Sequence, residues 1–435
     1  MTDIFEGLRS RLTGISPVRH FGRIAGIGGG MLRITGLGAQ AGLGDRVRIA
    51  GTVTGEILCL DPEGATVLAE EPVEGLKIGM PAECLGKSEI APHDGWIGRI
   101  VDPFGSPLDG RPLFPGARPR NLCPAPPPPA QRRRLGQRLE TGLAVFDTML
   151  PIVRGQRVGL FAGSGVGKSS LLAQLARGME ADVIVIALAG ERGREVREFT
   201  DQVLGPQGMA RSVVVAATSD QSPLLRRRCL WSAMAVAEHF RDAGLQVLLL
   251  ADSVTRFAEA HREVALAAGE SAQMRGYPPS MAQTIMALAE RAGPGRATPD
   301  CGDITAIFTV LVAGSDMEEP VADVLRGVLD GHVILDRTIA ERGRFPAIDL
   351  LRSVSRSLPQ AASEPENHLI AEARRIFGAW DRAEMMVQAG LYSKGSDPGI
   401  DRAIRVWPDL DDFLAQAAPG GAEGSFRRLA EILAR

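Results

Sequence analysis

The stretch AGSGVGKSS, residues 162–170, sets glycines at every second position ahead of a lysine and two hydroxyls. Gly163, Gly165 and Gly167 let consecutive backbone N–H groups turn inward around an anion without Cβ clashes. Lys168 supplies a charge for the β- and γ-phosphates of a triphosphate, and the Ser169 hydroxyl can ligate magnesium. The expected nucleotide-binding set is Gly163, Ser164, Gly165, Val166, Gly167, Lys168, Ser169 and Ser170, with a nucleoside triphosphate and Mg2+ as the ligands. Ala162 departs from the commonest form of this loop, which opens on a glycine. The lysines of this chain are only Lys77, Lys87, Lys168 and Lys394, against a large excess of arginine. A lysine kept inside the glycine loop fits a need for a compact ammonium rather than a planar guanidinium.

Two further positions carry candidate chemistry. LQVLLLADS reads as a buried strand with Asp252 at its carboxyl end, where open parallel sheets bind their ligands. An acid there holds magnesium through its water shell. Glu191, in VIVIALAGERGREVREF, follows another apolar strand. A carboxylate near a γ-phosphate can orient or deprotonate the attacking water, and Arg192 can contact the transferred phosphoryl. Position alone leaves a solvated, charge-rich helix start equally open for this pair.

The elements that must position these residues follow from the apolar pattern. RVGLFAG precedes the glycine loop as a strand, and a helix with Leu171, Leu172 and Leu175 follows it, so a helix dipole adds to anion binding. Apolar strands alternating with helical patterns, through DVIVIALAG and LQVLLLADS, predict a parallel sheet with crossover helices. Upstream, the runs MLRITGL, RVRIAGTV, GEILCLD and ATVLAEE, separated by glycines, predict a small β-barrel. CPAPPPPAQRRRL, 123–135, reads as an extended surface connector, with Arg132, Arg133 and Arg134 solvated. From about Glu364 the pattern is helical, with Ile370, Ala373, Ile376, Phe377, Trp380 and Met385 on a broken apolar face. Ile4, Leu8, Leu12 and Ile15 recur at helical spacing in a terminal tail that either its own protein or a partner covers.

With 435 residues, 45% apolar content and a net charge of −3, the chain is an ordinary multidomain globular protein rather than a disordered or broadly nucleic-acid-coating one. Residues 22–95 hold no Phe, Trp or Tyr and are more acidic than basic, so the barrel lacks the stacking platforms of a nucleic-acid binder. Five cysteines without a CxxC pair fit a reducing compartment and neither zinc nor a disulfide framework. The opening MTDIFEGLRSRLTG has no apolar signal run, and the expected location is cytoplasmic.

Taken in order, GLFAGSGVGKSSLL, GERGREVREF, LLLADSVTRFA, RGYPPS, EEPVADVLRGVLDGHVILDR and PAIDLLRSVSRS closely resemble the flagellar protein-export ATPases, with type III secretion injectisome ATPases as near relatives and rotary ATP synthase subunits as distant ones. The resemblance covers about Gly95 to Leu414. It implies an α/β fold with a RecA-like P-loop ATPase core over 95–358, preceded by a partner-binding tail (1–18) and a β-barrel (19–94) and followed by a helical domain (359–435). It also implies that Lys168 and Ser169 hold phosphate and magnesium, Asp252 is the second acid on the magnesium side, Glu191 is the catalytic carboxylate, Arg192 touches the γ-phosphate, and Arg356 is a finger reaching a neighbouring subunit. A homohexamer is implied, peripheral to the inner membrane at the flagellar base. Its implied partners are a regulatory stalk protein on the tail, a central stalk protein, the export gate, and exported proteins with their chaperones.

GLYSKGSDPGIDRAIRVWPDLDDFL, 390–414, looks more flagellar than injectisome-like, whereas MAQTIMALAERAG after RGYPPS and Glu318 depart from the usual pattern. The alternatives are an injectisome ATPase, a synthase catalytic subunit, an RNA translocase and a non-hydrolysing subunit. The absence of a DELSEED-type acidic segment argues against the synthase, the aromatic-free barrel against the translocase, and Glu191 with Arg356 against the last.

Overall fold

The computed structural model describes residues 12, 18–312 and 317–435, and every structural statement here refers to those residues. Of the tail positions read as a helix, only Leu12 falls among them, helical and exposed; Ile4, Leu8 and Ile15 lie outside.

Six strands, β1 (His20–Gly28), β2 (Met31–Thr35), β3 (Asp45–Ile49), β4 (Val53–Asp61), β5 (Gly64–Ala69) and β6 (Pro81–Lys87), close into an antiparallel barrel in the order β1-β2-β5-β4-β3-β6. Alternation explains the closure: Leu32, Ile34, Val47, Ile49 and Val67 point inward and are fully buried, while their neighbours face out. β7 (Glu89–Ile90) then pairs with β9 (Arg120–Asn121).

The central sheet has eight strands in the order β16-β15-β10-β14-β13-β11-β12-β8. They are β8 (Arg99–Val101), β10 (Arg157–Ala162), β11 (Val183–Glu191), β12 (Ser212–Thr218), β13 (Val247–Asp252), β14 (Ile304–Leu311), β15 (Gly331–Leu335) and β16 (Ile348–Ser355), all parallel except the final β15–β16 pair. Both faces are covered, which is why the strands read as nearly continuous apolar runs. Leu160, Ile184, Ile186 and Leu250 face a core shared with helix α1 (Lys168–Gly178) and the C-terminal helices. Phe161, Val183, Val185 and Leu249 face α2 (Pro223–Asp242), α3 (Val254–Ala267) and α4 (Ser280–Arg291). Truncating a fully buried anchor such as Leu172 to Ala would cost about 2–5 kcal/mol.

The connector after the barrel is not merely solvated. The guanidinium of Arg132 donates to the carbonyls of Glu290 and Ala292, and that of Arg133 to the carbonyls of Cys301 and Gly302, with Asp303 3.0 Å away. The two arginines rivet an otherwise sheetless proline run to the ATPase core, which corrects the solvated reading for Arg132 and Arg133, while Arg134 is exposed as expected.

The chain ends in three helices, α5 (Glu364–Gln388), α6 (Pro398–Leu414) and α7 (Gly421–Leu433). Ser363 and Glu366 form a capping box that fixes the start of α5. Ile370, Ala373, Ile376 and Phe377 are buried and Trp380 stacks on Trp407 of α6 at 4.6 Å, but Met385 is 82% exposed and leaves the apolar face predicted for it. No described helix is long and apolar enough to cross a membrane.

Candidate functional site

The site lies at the carboxyl edge of the central sheet, where β10, β14, β13 and β11 lie side by side. β10 runs into the glycine loop and the loop into α1, which starts at Lys168. Val166 anchors the loop by turning its side chain into the core, at 2% exposure. Gly167 caps α1 at φ +88°, and a Cβ there would lie 3.1 Å from the ring of Phe345, so conformation and space both select glycine. The loop therefore presents backbone to the cleft while its one apolar side chain holds it down.

Behind the loop, Lys168 is held between two carboxylates. Its Nζ lies 2.5 Å from Asp252 Oδ1 at the end of β13 and 3.7 Å from Glu191 Oε1 at the end of β11. Asp252 is 3% exposed and also accepts from the Thr309 hydroxyl at 2.7 Å, on the intervening β14. Burial, and then the charge of Asp252, push the Glu191 carboxyl up to about 7, with Lys168 pulling the other way. A carboxylate near that value is matched to taking a proton from water at neutral pH.

A cleft of about 1170 Å³ opens over this constellation. Gly163, Ser164, Gly165, Gly167, Lys168, Ser169, Ser170, Glu191 and Arg192 line it. Val166 and Asp252 are not on its wall: the first faces the core and the second sits beneath Lys168. Arg192 is largely exposed and pairs loosely with Glu195 at 3.6 Å.

Arg356 is placed elsewhere. It lies just past β16, exposed, its backbone N–H donating to the Asp330 carbonyl and its guanidinium to the Arg326 carbonyl at 3.1 Å. It does not line the cleft of its own chain.

Several cleft residues escaped the sequence reading. Arg256 and Glu259, on α3, line the cleft and pair at 2.9 Å. Gly190, at φ +73°, packs so closely on Arg256 that a Cβ would come within 3.2 Å of it. The signal was present: Arg256 stands four residues after Asp252, in the first turn of α3, in LLLADSVTRFA. Arg226, Arg275 and Tyr277 also reach the wall, and Tyr277 belongs to the RGYPPS run that the sequence marks without a role. Phe345, half exposed against the loop, had no local signal at all.

Oxygen ligands and a lysine below a glycine loop fit a magnesium-bound triphosphate, since magnesium is usually held by one or two protein oxygens plus phosphates and water. No cluster of three or more His, Cys, Asp or Glu side chains that could hold a metal occurs among the described residues.

A glycine loop between a buried strand and a helix, an acid at the end of the next-but-one strand and a perturbed glutamate beside it define a P-loop nucleotide hydrolase. Residues 142–355 match the ATP synthase alpha/beta family, nucleotide-binding domain, and residues 362–429 the T3SS EscN ATPase C-terminal domain. The flagellum-specific ATP synthase of Caulobacter vibrioides is 42% identical over 96% of this chain and 97% of its own length. That of Salmonella typhimurium is 40% identical over 94% and 92%, and the SPI-2 type 3 secretion system ATPase of the same organism is 42% identical over 88% and 91%. Among solved structures, the assembled ATPase EscN of the enteropathogenic E. coli type III secretion system is similar at TM-score 0.88 and 36% identity, covering 95% of this chain and all of that one. The same ATPase in complex with its central stalk EscO is similar at TM-score 0.85. The chain belongs to the flagellum-specific ATP synthase and type III secretion ATPase family, and it is an ATPase.

Proposed function

We propose that this chain hydrolyses MgATP as one subunit of a ring, at the base of a flagellar export apparatus, to energise protein export. Lys168 and the loop N–H groups hold the phosphates. Ser169 and Asp252 would hold the magnesium, which would neutralise charge on the phosphates. Glu191 orients the attacking water and accepts its proton, while Arg192 and Arg256 stand where they can meet the phosphoryl oxygens. Phe345 offers a half-exposed ring beside the loop, a surface on which the base can stack.

The observation that supports the ring is Arg356: a basic residue just past an exposed strand, outside its own cleft, which in this reading reaches a neighbour's site. Six copies, the central stalk, the stalk regulator bound by the tail, the gate and the chaperoned cargo complete the proposal. An injectisome role is the second reading, supported by the type 3 secretion relative at 42% identity. ATPase activity per subunit should climb with protein concentration and ignore added RNA; activity that is flat in concentration, or RNA-stimulated, would contradict the ring motor.

A further inference from the structure

Outside the catalytic constellation, one half-buried polar cluster lies near the cleft. Glu270, Ser280 and His261 meet where the segment 270–280, which joins α3 to α4, leaves and rejoins the core. Ser280 N–H donates to Glu270 Oε1 at 2.9 Å and Ser280 Oγ to Glu270 Oε2 at 2.6 Å, so one carboxylate ties both ends of the segment together. The hydroxyl proton is then spent on Glu270, and the Ser280 oxygen can only accept from His261 Nε2, 2.9 Å away. That fixes the histidine tautomer with its proton on Nε2. It leaves Nδ1 as a bare lone pair, and this atom is indeed buried without a partner. His261 is 8% exposed, and burial pushes its pKa down to about 4, so the ring stays neutral and the tautomer holds across the neutral range.

The segment so closed points its tip at the nucleotide cleft. Gln273 N–H donates to the Tyr277 carbonyl at 2.8 Å and Gly276 N–H to the Gln273 carbonyl at 2.7 Å, making a tight turn with Arg275 at φ +59°. An arginine in the left-handed region is disfavoured, a conformation that persists where its surroundings over-determine it. Arg275 and Tyr277 both line the cleft, and the Tyr277 ring lies 5.3 Å under the guanidinium of Arg262.

We propose that Glu270, Ser280 and His261 are positioning residues for ATP binding: they clamp the neck of the 270–280 loop and thereby hold Arg275 and Tyr277 at the wall of the nucleotide cleft. Their effect is on affinity for the nucleotide, not on the chemical step, because none of the three touches the Lys168–Asp252–Glu191 constellation. The clamp is graded. Glu270 supplies the charge-assisted bonds, Ser280 bridges, and His261 donates one neutral bond from the core.

The inference rests on the reading of this cleft as the ATP site, and the test separates the two. Assembled wild-type protein and the variants Ser280→Ala, Glu270→Gln, His261→Ala and His261→Gln are compared for KM and kcat, and for tryptic cleavage after Arg275 with and without a non-hydrolysable ATP analogue. Ser280→Ala and Glu270→Gln should raise the KM for ATP about fivefold to tenfold with kcat within about twofold. Both should speed cleavage after Arg275. His261→Gln, which keeps an N–H donor of similar reach, should restore the wild-type KM where His261→Ala does not. Should Ser280→Ala fail to fold, Glu270→Gln alone still decides, its side chain being only partly buried. Unchanged KM and cleavage in Glu270→Gln, or a glutamine variant no better than alanine, would overturn the clamp. Failure of wild-type protein to bind the analogue at all would instead overturn the cleft reading.

Discussion

The phosphate seat and the neighbourhood of Arg356 differ in how much of their geometry one chain supplies. At the seat, Lys168, Asp252, Glu191 and Thr309 satisfy one another within 2.5–3.7 Å, on four strand ends or helix starts packed in a common core. Arg356 has only a carbonyl for a partner among the contacts of its guanidinium, on an exposed strand end whose Leu351 and Val354 are also 38% and 43% exposed. A group that is charged, exposed and lightly tethered beside exposed apolar surface is free to meet a neighbouring surface, as the proposed ring requires. On the proposed reading, the difference teaches that binding of the triphosphate is a property of the chain, whereas full turnover would belong to an interface.

The sharpest way to break that contrast is Arg356→Ala. The variant should bind ATP as wild type does, form assemblies, and lose about 10³-fold or more in kcat, the range for fingers donated across subunits; wild-type turnover in the assembled state would make the two regions equivalent. Glu191→Gln should keep nucleotide affinity and lose about 10²–10⁴ in kcat, read by single-turnover hydrolysis; a raised KM with unchanged kcat would move Glu191 from chemistry to binding.

A smaller effect comes from pH. Glu191 must be ionised to accept a proton, and its carboxyl is raised to about 7 by burial and by Asp252, so kcat/KM should fall about tenfold per unit below that pH. The same raised value means the folded state holds this proton more tightly than the unfolded chain. Its stabilising contribution is therefore present in acid and lost as pH rises through about 7, the opposite of a salt-bridged acid. Loss of the acid limb in the Glu191→Gln profile checks the assignment. The smallest effect is expected from Thr309→Val, which removes one of the two donors holding Asp252 Oδ1. The KM for ATP should rise severalfold, with about 1 kcal/mol of stability lost in denaturant titration.

How much of this was legible beforehand follows from how local each feature is. The glycine loop, its flanking strand and helix, and Asp252 at a strand end are encoded in short contiguous runs, and the strand order only brings them together. The barrel was legible through alternation, and the parallel sheet through apolar runs covered on both faces. Phe345 was not, because its place against Gly167 depends on the antiparallel turn into β16. The Arg132 and Arg133 rivets looked like solvated charge because most of their partners are backbone carbonyls, which sequence does not mark. Met385 shares the helical period of a buried face, yet α5 outruns the core that would cover it.

The central claim is that each site takes its carboxylate from one chain and its arginine from the next. Mixing Glu191→Gln protein with Arg356→Ala protein, each inactive alone, tests it directly. If sites are shared, random co-assembly places an intact Glu191 beside an intact Arg356 at about a quarter of the interfaces, and ATPase activity should return to about that fraction of the wild-type value. Mixed assemblies that form but stay inactive would contradict shared sites and return the whole of the chemistry to the single chain.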